Sequence, residues 1–443
     1  MTINWKTLFA DHIEQLNTRY ACALAALGMD AVIIHSGVEK NRYLDNKVYP
    51  FWAHTHFRQW VSGHQNAHCL LVIRPGNKPV LGWYQPRDYW HAPAQIPDEY
   101  WVDFFDIEII RTPDQLQNLV PEKSLKVAAL AEDETLMNSW GISTVNPDKL
   151  MHAINWHRAY KTTYEQQLIR EANEVAAKAH IAAEKVFRNG DTELQILLKY
   201  LQAADHRECE LPFTATVVLN ERAATLHCSG YQRVADKEPR SFLIDAGTTH
   251  RHYVADITRT YAAKPGIFAD LVARMDKELL DIISTLKPGV HYTDLHIDMH
   301  RRIAGMLSDF GIVKGSPEEI FEKKYTHTFF PHGLGHFIGI NCHDVADWQL
   351  DIKGTDAGKH PEHPFLRLQR VLEPGMTFTV EPGLYFIETL LEEQEGNGDF
   401  NWELIDQLRP YGGIRIEDNI LITEHGNENL TRPAFAKFVC LLK

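Results

Sequence analysis

Four apolar, strand-like stretches in the second half of the chain each run into an acid. They are Ser241 to Gly247 with Asp245, Tyr253 to Thr260 with Asp256, Met376 to Gly383 with Glu381, and Gly413 to Asn419 with Glu417. If residues 241–245 and 252–261 pair as a hairpin, Asp245 and Asp256 enter one interior, and buried carboxylates at close range must be neutralised by protons or cations. A period of two puts Thr377, Thr379 and Glu381 on one face, and Arg415 with Glu417 on another, opposite Phe378, Val380, Ile414 and Ile416. Other readings stay open, since an Asp beside a Gly is as readily a turn residue, and a Glu beside an Arg is more often a salt bridge.

A fifth element is the loop Pro331 to Gly339, which carries His332 and His336 among three glycines and is followed by His343 and Asp344. Glycine lets a backbone approach a site closely. With 24 histidines in the chain a lone imidazole says little, and the pair His296 and His300, at helical spacing without an acid partner, arises cheaply. Oxygen-rich donor sets with one imidazole suit Mn²⁺, Co²⁺, Fe²⁺ or Zn²⁺ in a catalytic setting rather than structural zinc. Four carboxylates exceed the needs of one catalytic ion, whereas two ions can share an activated hydroxide and polarise a carbonyl, which points to hydrolysis.

At 443 residues the chain outgrows a single core. Helical spacing of Phe9, Ile13, Leu16, Tyr20, Leu24 and Leu27 predicts an opening helix capped at Gly28. Short apolar runs at 30–35, 69–73, 79–84 and 126–130 then predict an α/β N-terminal domain over 1–155. The Asn146-Pro147 turn and the capping box at Thr162 to Glu165 mark the change to an α+β domain over 156–443, with strands near 213–219, 241–245, 252–261, 376–381 and 413–422 and helices near 266–286 and 292–310.

A net charge of −14 without a dense Lys/Arg run argues against nucleic-acid binding. Six cysteines without CxxC spacing read as reduced thiols. No run approaches a membrane span and the first residues lack a signal-peptide core, so the expectation is a cytoplasmic protein without membrane partners, with the Asn429-Leu430-Thr431 sequon unused.

In their order, the Asp, Asp, His, Glu and Glu of these segments resemble the creatinase-like, pita-bread metallopeptidases, the group of methionine aminopeptidase, Xaa-Pro aminopeptidase and prolidase. Tyr43-Leu44-Asp45, Tyr49-Pro50-Phe51 and Asp88 to His91 are similar to the bacterial proline dipeptidase branch, which includes organophosphorus acid anhydrolase. The resemblance implies a creatinase-like α/β N-terminal domain serving dimerisation and substrate access, and a pita-bread catalytic domain. It also implies two divalent ions, foremost Mn²⁺, held by Asp245, Asp256, His336, Glu381 and Glu417. In that pattern Asp256 and Glu417 bridge both ions and Glu381 also transfers protons. His227 and His343 steady the developing oxyanion, and Arg415 orients the ligands. His332, Tyr292 and Leu366 line the pocket, Arg370 pairs with the substrate carboxylate, and Asp45, reaching from a partner in a homodimer, meets the substrate amine.

The implied reaction is hydrolysis of dipeptides ending in proline, with side activity on organophosphorus esters. A bond before proline is a tertiary amide without an N–H, which calls for a dedicated pocket. The alternatives are an Xaa-Pro aminopeptidase acting on longer peptides and, more remotely, a non-catalytic peptide-binding module of the same fold. Departures from the branch pattern fall at Phe213, Cys228, Cys342 and the stretch Trp52 to Thr55; none removes a nominated ligand.

Overall fold

The computed structural model describes residues 3–92 and 94–440, with side chains through 438, so Cys440 falls outside the described side chains. It divides into two compact units, one of 1–168 with 250–252 and 351–355, the other of the remaining residues.

In the first unit the helix Trp5–Leu27 buries Phe9, Ile13, Leu16, Tyr20 and Leu24 and ends where Gly28 turns left-handed at φ 63°. The five-stranded sheet runs in the order Asp106–Ile110, Val80–Tyr84, Leu70–Ile73, Ala31–His35 and Val127–Leu130, with parallel outer pairs and antiparallel inner ones. The apolar runs thus become its inner strands and one edge. The other edge, Asp106–Ile110, carries acids at alternate positions and is largely exposed, so hydrophobic patterning does not reveal it.

The second unit contains most of the long helix Thr163–Arg188, opened by the Thr162/Glu165 capping box, in which the Thr162 N–H donates to Glu165 at 2.7 Å. The division between the units, after Leu168, falls inside this helix, just past the capping box. Its Ala172, Ala176, Ala179 and Ala183 are fully buried, and small side chains there let Ala255 and Ile257 pack on the first two and Leu219, Phe242 and Ile244 on the last two.

One antiparallel sheet orders Thr258–Ala262, Ser241–Asp245 and Thr216–Leu219, with Asp245 opposite both Thr258 and Thr216. A second orders Thr377–Val380, Asp418–Ile422 and Asn427–Asn429, and a two-stranded ladder pairs Gly383–Tyr385 with Gly413–Arg415. The expected strands 252–261 and 413–422 are each interrupted, the first at Asp256-Ile257 and the second at Ile416-Glu417. A continuous strand would project those carboxylates at a fixed alternation. The breaks free the backbone to aim them, and both backbones are answered from outside their own ladder. The Asp256 N–H donates to Asn419 Oδ1 at 3.0 Å and the Glu417 N–H to the Thr258 carbonyl at 3.0 Å.

Candidate metal centre

All four nominated acids sit at strand ends or strand breaks. Asp245 closes its strand, Glu381 follows Val380 directly, and Asp256 and Glu417 occupy the two interruptions. Register brings them together, since Thr258 lies opposite Asp245 and Val380 opposite Asp418. With Ile416 donating to the Pro382 carbonyl at 3.3 Å, Glu381 and Glu417 meet where two ladders change over.

His336 arrives from the glycine-rich loop, stitched to the Thr377–Val380 strand. Its N–H donates to Thr379 Oγ1 at 3.1 Å and its carbonyl accepts from the Thr379 N–H at 2.9 Å. The loop can lie this close because residue 335 is glycine; a Cβ there would stand 2.1 Å from the Thr379 carbonyl oxygen. Gly247 answers the same need beside Asp245, where a Cβ would stand 2.4 Å from the Ala255 carbonyl.

His336 Nδ1 faces the Phe337 carbonyl at 2.9 Å, which can only accept, so the proton sits on Nδ1 and Nε2 points at Asp256 Oδ2, 3.6 Å away, and Glu381 Oε1, 3.7 Å away. The three carboxylates of Asp245, Asp256 and Glu417 share one pattern. One oxygen of each is held: Asp245 Oδ2 by Arg415 Nη2 at 2.8 Å, Asp256 Oδ2 by the Cys342 thiol at 2.9 Å, and Glu417 Oε2 by Thr258 Oγ1 at 2.7 Å. The other oxygen of each is buried without a hydrogen-bond partner among the described residues. Enclosed carboxylate oxygens are costly unless something cationic meets them.

The electrostatics agree. Burial, opposed by Arg415, pushes the Asp245 carboxyl up; burial pushes Glu381 up to about 7; burial and the surrounding carboxylates push Glu417 well up. Burial also works to raise Asp256, but the His336 imidazole 3.6 Å away, with the Cys342 thiol, wins and holds it down. His336 in turn rises to about 9 against its own burial, drawn by Asp256 and Glu381, so that without a metal a proton takes the cation's place. Four buried acids, three of them with an oxygen unanswered among the described residues, and one imidazole nitrogen beside them fit divalent metal.

These residues open on a cavity of about 1000 Å³. Asp245, Asp256, His336, Glu381, Glu417, His227, His332, His343 and Arg415 all line it, as do Phe213, Cys228 and Cys342, three of the positions that depart from the bacterial branch pattern. A hydrogen-bonded series braces one wall. Arg415 joins Asp245 to Tyr385, donating through Nη1 to its oxygen at 2.9 Å, and the Tyr385 hydroxyl meets His332 Nε2 at 2.9 Å. The Gly333 carbonyl fixes the proton on His332 Nδ1, at 2.8 Å, and burial keeps this ring neutral, its pKa lowered to about 3.

Other nominated residues lie elsewhere. Tyr292 is buried with its hydroxyl donating to the Thr379 carbonyl at 2.7 Å, supporting the strand from behind. Leu366 is buried, and Arg370 is buried with its guanidinium over the Phe337 ring at 5.6 Å. The neighbours Phe365 and Arg367 are the ones on the cavity wall. Asp45 belongs to the first unit, where its carboxylate accepts the Lys47 N–H at 3.2 Å. Arg367, Tyr385 and Thr258 were not nominated from the sequence. The alternation of Arg367, Gln369 and Val371 against Leu366, Leu368 and Arg370 was the signal that separates the wall residue from the buried one.

With this geometry in view, the profile of the Xaa-Pro dipeptidase N-terminal domain matches residues 7–156, and that of metallopeptidase family M24 matches residues 167–424. An Xaa-Pro dipeptidase of Pseudoalteromonas haloplanktis is 44% identical over 96% of this chain and 98% of its own length. Xaa-Pro dipeptidase 2 of Idiomarina loihiensis is 42% identical over the same shares. Among solved structures, zinc-substituted Escherichia coli aminopeptidase P in complex with product superposes with a TM-score of 0.72 at 23% identity, covering 96% of this chain and 99% of that one. At that identity the likeness speaks for the fold alone.

Proposed function

Because this chain belongs to metallopeptidase family M24, as the match over 167–424 and the full-length relatives establish, we propose that it is an Xaa-Pro dipeptidase whose cavity hydrolyses dipeptides ending in proline. The observation that carries the reading is the set of three buried carboxylates, each with one oxygen held by the protein and one unanswered among the described residues, with His336 Nε2 against the Asp256 carboxylate. Asp245, Asp256, His336, Glu381 and Glu417 would hold two divalent ions, Mn²⁺ foremost. Bound there, the ions would activate water and polarise the scissile carbonyl.

The chain's own groups supply the rest. Arg415 keeps Asp245 turned to the centre through its 2.8 Å ion pair, and Glu381, with Oε1 3.7 Å from His336 Nε2, is the carboxylate that exchanges a proton with the reacting groups. His227 and His343 stand on the wall, suited to donate to an oxyanion. His332, neutral and fixed by Tyr385 and Gly333, shapes the pocket. For the substrate carboxylate the cation is Arg367 on the wall, with Arg370 packed behind it.

Asp45 reaches substrate from a partner subunit in this reading. An interface is in keeping with the exposure, 75 to 90%, of Tyr43 and Leu44 just before Asp45 in the chain and of Tyr89 and Trp90 in the same unit. A cytoplasmic setting is part of the proposal, in keeping with the free thiols at Cys22, Cys69, Cys209, Cys228 and Cys342. No helix among the described residues is long and apolar enough to cross a membrane.

The deciding experiment loads chelator-treated protein with Mn²⁺ and compares Ala-Pro with Ala-Pro-Ala. Cleavage of the dipeptide with kcat/KM well above the tripeptide's is expected. Cleavage of the tripeptide alone would make the chain an aminopeptidase, and turnover of neither, with no transition metal retained, would make it a binding module. An organophosphorus ester assayed alongside tests the side activity.

A further inference from the structure

Outside the cavity, the structure gathers three imidazoles into one candidate donor group that contains no carboxylate. His296 and His300 lie one turn apart on the helix Tyr292–Asp309, and His363 comes from the loop 355–372; all three are buried. One ring nitrogen from each falls within 4.8 Å of the others, and the ring centroids are 4.4 to 4.7 Å apart. A helical pair alone is cheap, but a third imidazole brought from far along the chain onto the same point is not a consequence of helix geometry.

Two further features point to a ligand. His296 Nδ1 is fully enclosed and meets no hydrogen-bond partner among the described residues. His300 is oriented by Thr326, whose Oγ1 lies 2.9 Å from its Nδ1; with that nitrogen occupied, Nε2 is the one left to ligate, the arrangement in which a second partner orients a ligating histidine. The loop is set as well, because His360 Nδ1 accepts the His363 N–H at 3.2 Å and pins the turn that carries it. Burial, with repulsion from the surrounding imidazoles, His327 and His360 included, keeps His296, His300 and His363 unprotonated, the state in which imidazole binds metal.

We propose that His296, His300 and His363 form a separate, nitrogen-only metal site that takes Zn²⁺ and clamps the 355–372 loop to the helix Tyr292–Asp309. A donor set of three neutral imidazoles favours Zn²⁺ over the harder Mn²⁺, and an exchangeable water completes the tetrahedron. At Zn–N distances of about 2.0 Å, tetrahedral nitrogens stand about 3.3 Å apart, so modest ring rotations close the present spacing. Phe330 packs on His296 and His300 on one side and on His332 on the other, which separates this site from the cavity. The clamp acts on the cavity from behind, because Phe365 and Arg367 of its wall follow His363 in the same loop.

The test removes the catalytic ligands first. Full-length protein carrying Asp256→Ala and His336→Ala, stripped with chelator and dialysed against Zn²⁺, is expected to retain about one zinc per chain by elemental analysis, and to lose it when His363→Ala is added. Equal zinc with and without His363, or none in either, overturns the proposal. If the doubly altered chain does not fold, the same substitution in the otherwise unaltered protein must lower total bound zinc by one per chain. Limited proteolysis gives a second readout: Zn²⁺ should protect the 355–372 loop several-fold in the protein with His363 and not in the variant, and protection indifferent to His363 again overturns it.

Discussion

Glu417 and Asp418 are neighbours in the chain, both buried, and the protein treats them in opposite ways. Asp418 is answered on every side. Arg259 Nη2 donates to its Oδ1 at 2.8 Å, and Arg432 Nε and Asn429 Nδ2 donate to its Oδ2 at 2.5 and 2.8 Å. Burial alone would raise its pKa, but the two arginines hold it below the usual carboxylate range. Among the described residues Glu417 has Thr258 on one oxygen and nothing on the other, and its carboxyl is driven well up. The first acid is charge the fold has already neutralised. The second is charge held in reserve for something the chain does not contain.

Exchanging the two acids in turn gives the largest contrast. Glu417→Gln keeps the shape and the Thr258 contact but weakens metal binding, so kcat of the metal-loaded protein should fall more than about 100-fold, beyond what loss of an outer partner of a ligand costs. Melting temperature of the metal-free variant should hardly move. Asp418→Ala should do the reverse, leaving the buried Arg259 without its carboxylate and Arg432 with Asp276 alone, at about 3 to 5 kcal/mol of stability. Denaturant titration beside steady-state kinetics reads both. If Asp418→Ala melted normally and merely lost activity, the division between them would collapse.

The contrast extends to pH with opposite signs. Asp418, with its folded pKa lowered, contributes stability that is present above its ordinary value and lost as pH falls through the folded one. Glu381, raised to about 7 in the metal-free site, contributes stability that is complete below its ordinary value and lost as pH rises through 7. Metal-free Glu381→Gln should therefore match the unaltered metal-free protein near pH 4.5 and be the more stable by up to about 3 kcal/mol above pH 7. Thermal melts of both in chelator would read it, and a gap that narrows with rising pH has the wrong sign for an unneutralised acid.

Much of this arrangement is legible in the sequence, and the unread part has a common cause. The acids announce themselves because apolar strands surround them, and Gly335 and Gly247 because close approach needs them. The opening helix and four strands of the first sheet follow from apolar spacing, whereas the edge strand Asp106–Ile110 escapes because solvent replaces the neighbour that would impose a pattern. Alternation cannot show that the strands break at Asp256 and Glu417, since both faces of Tyr253–Ala255 and Asp418–Ile422 are buried and the period loses its meaning there. Nor does it foretell that Cys342 would hold Asp256, or that His363 would join His296 and His300. Those contacts are set by loops whose course is tertiary.

The same distinction between committed and reserved charge separates two arginines, with a smaller expected effect. Arg370 is buried against Phe337, 3.8 Å from Glu373, while Arg367 lies over Trp348 and reaches the cavity wall. If the wall arginine meets the substrate carboxylate, Arg367→Ala should raise KM for Ala-Pro about tenfold, near 1.4 kcal/mol, with kcat little changed, because the contact is the same in ground and transition states. Arg367→Lys should recover part of that, a point charge replacing a fork. Arg370→Ala should lower melting temperature and leave KM within about twofold once the protein is folded. Should KM rise tenfold in Arg370→Ala and stay unchanged in Arg367→Ala, the roles are reversed. The loop would then have to turn on binding to bring the buried guanidinium to the wall, and a proline-containing dipeptide should protect it from proteolysis.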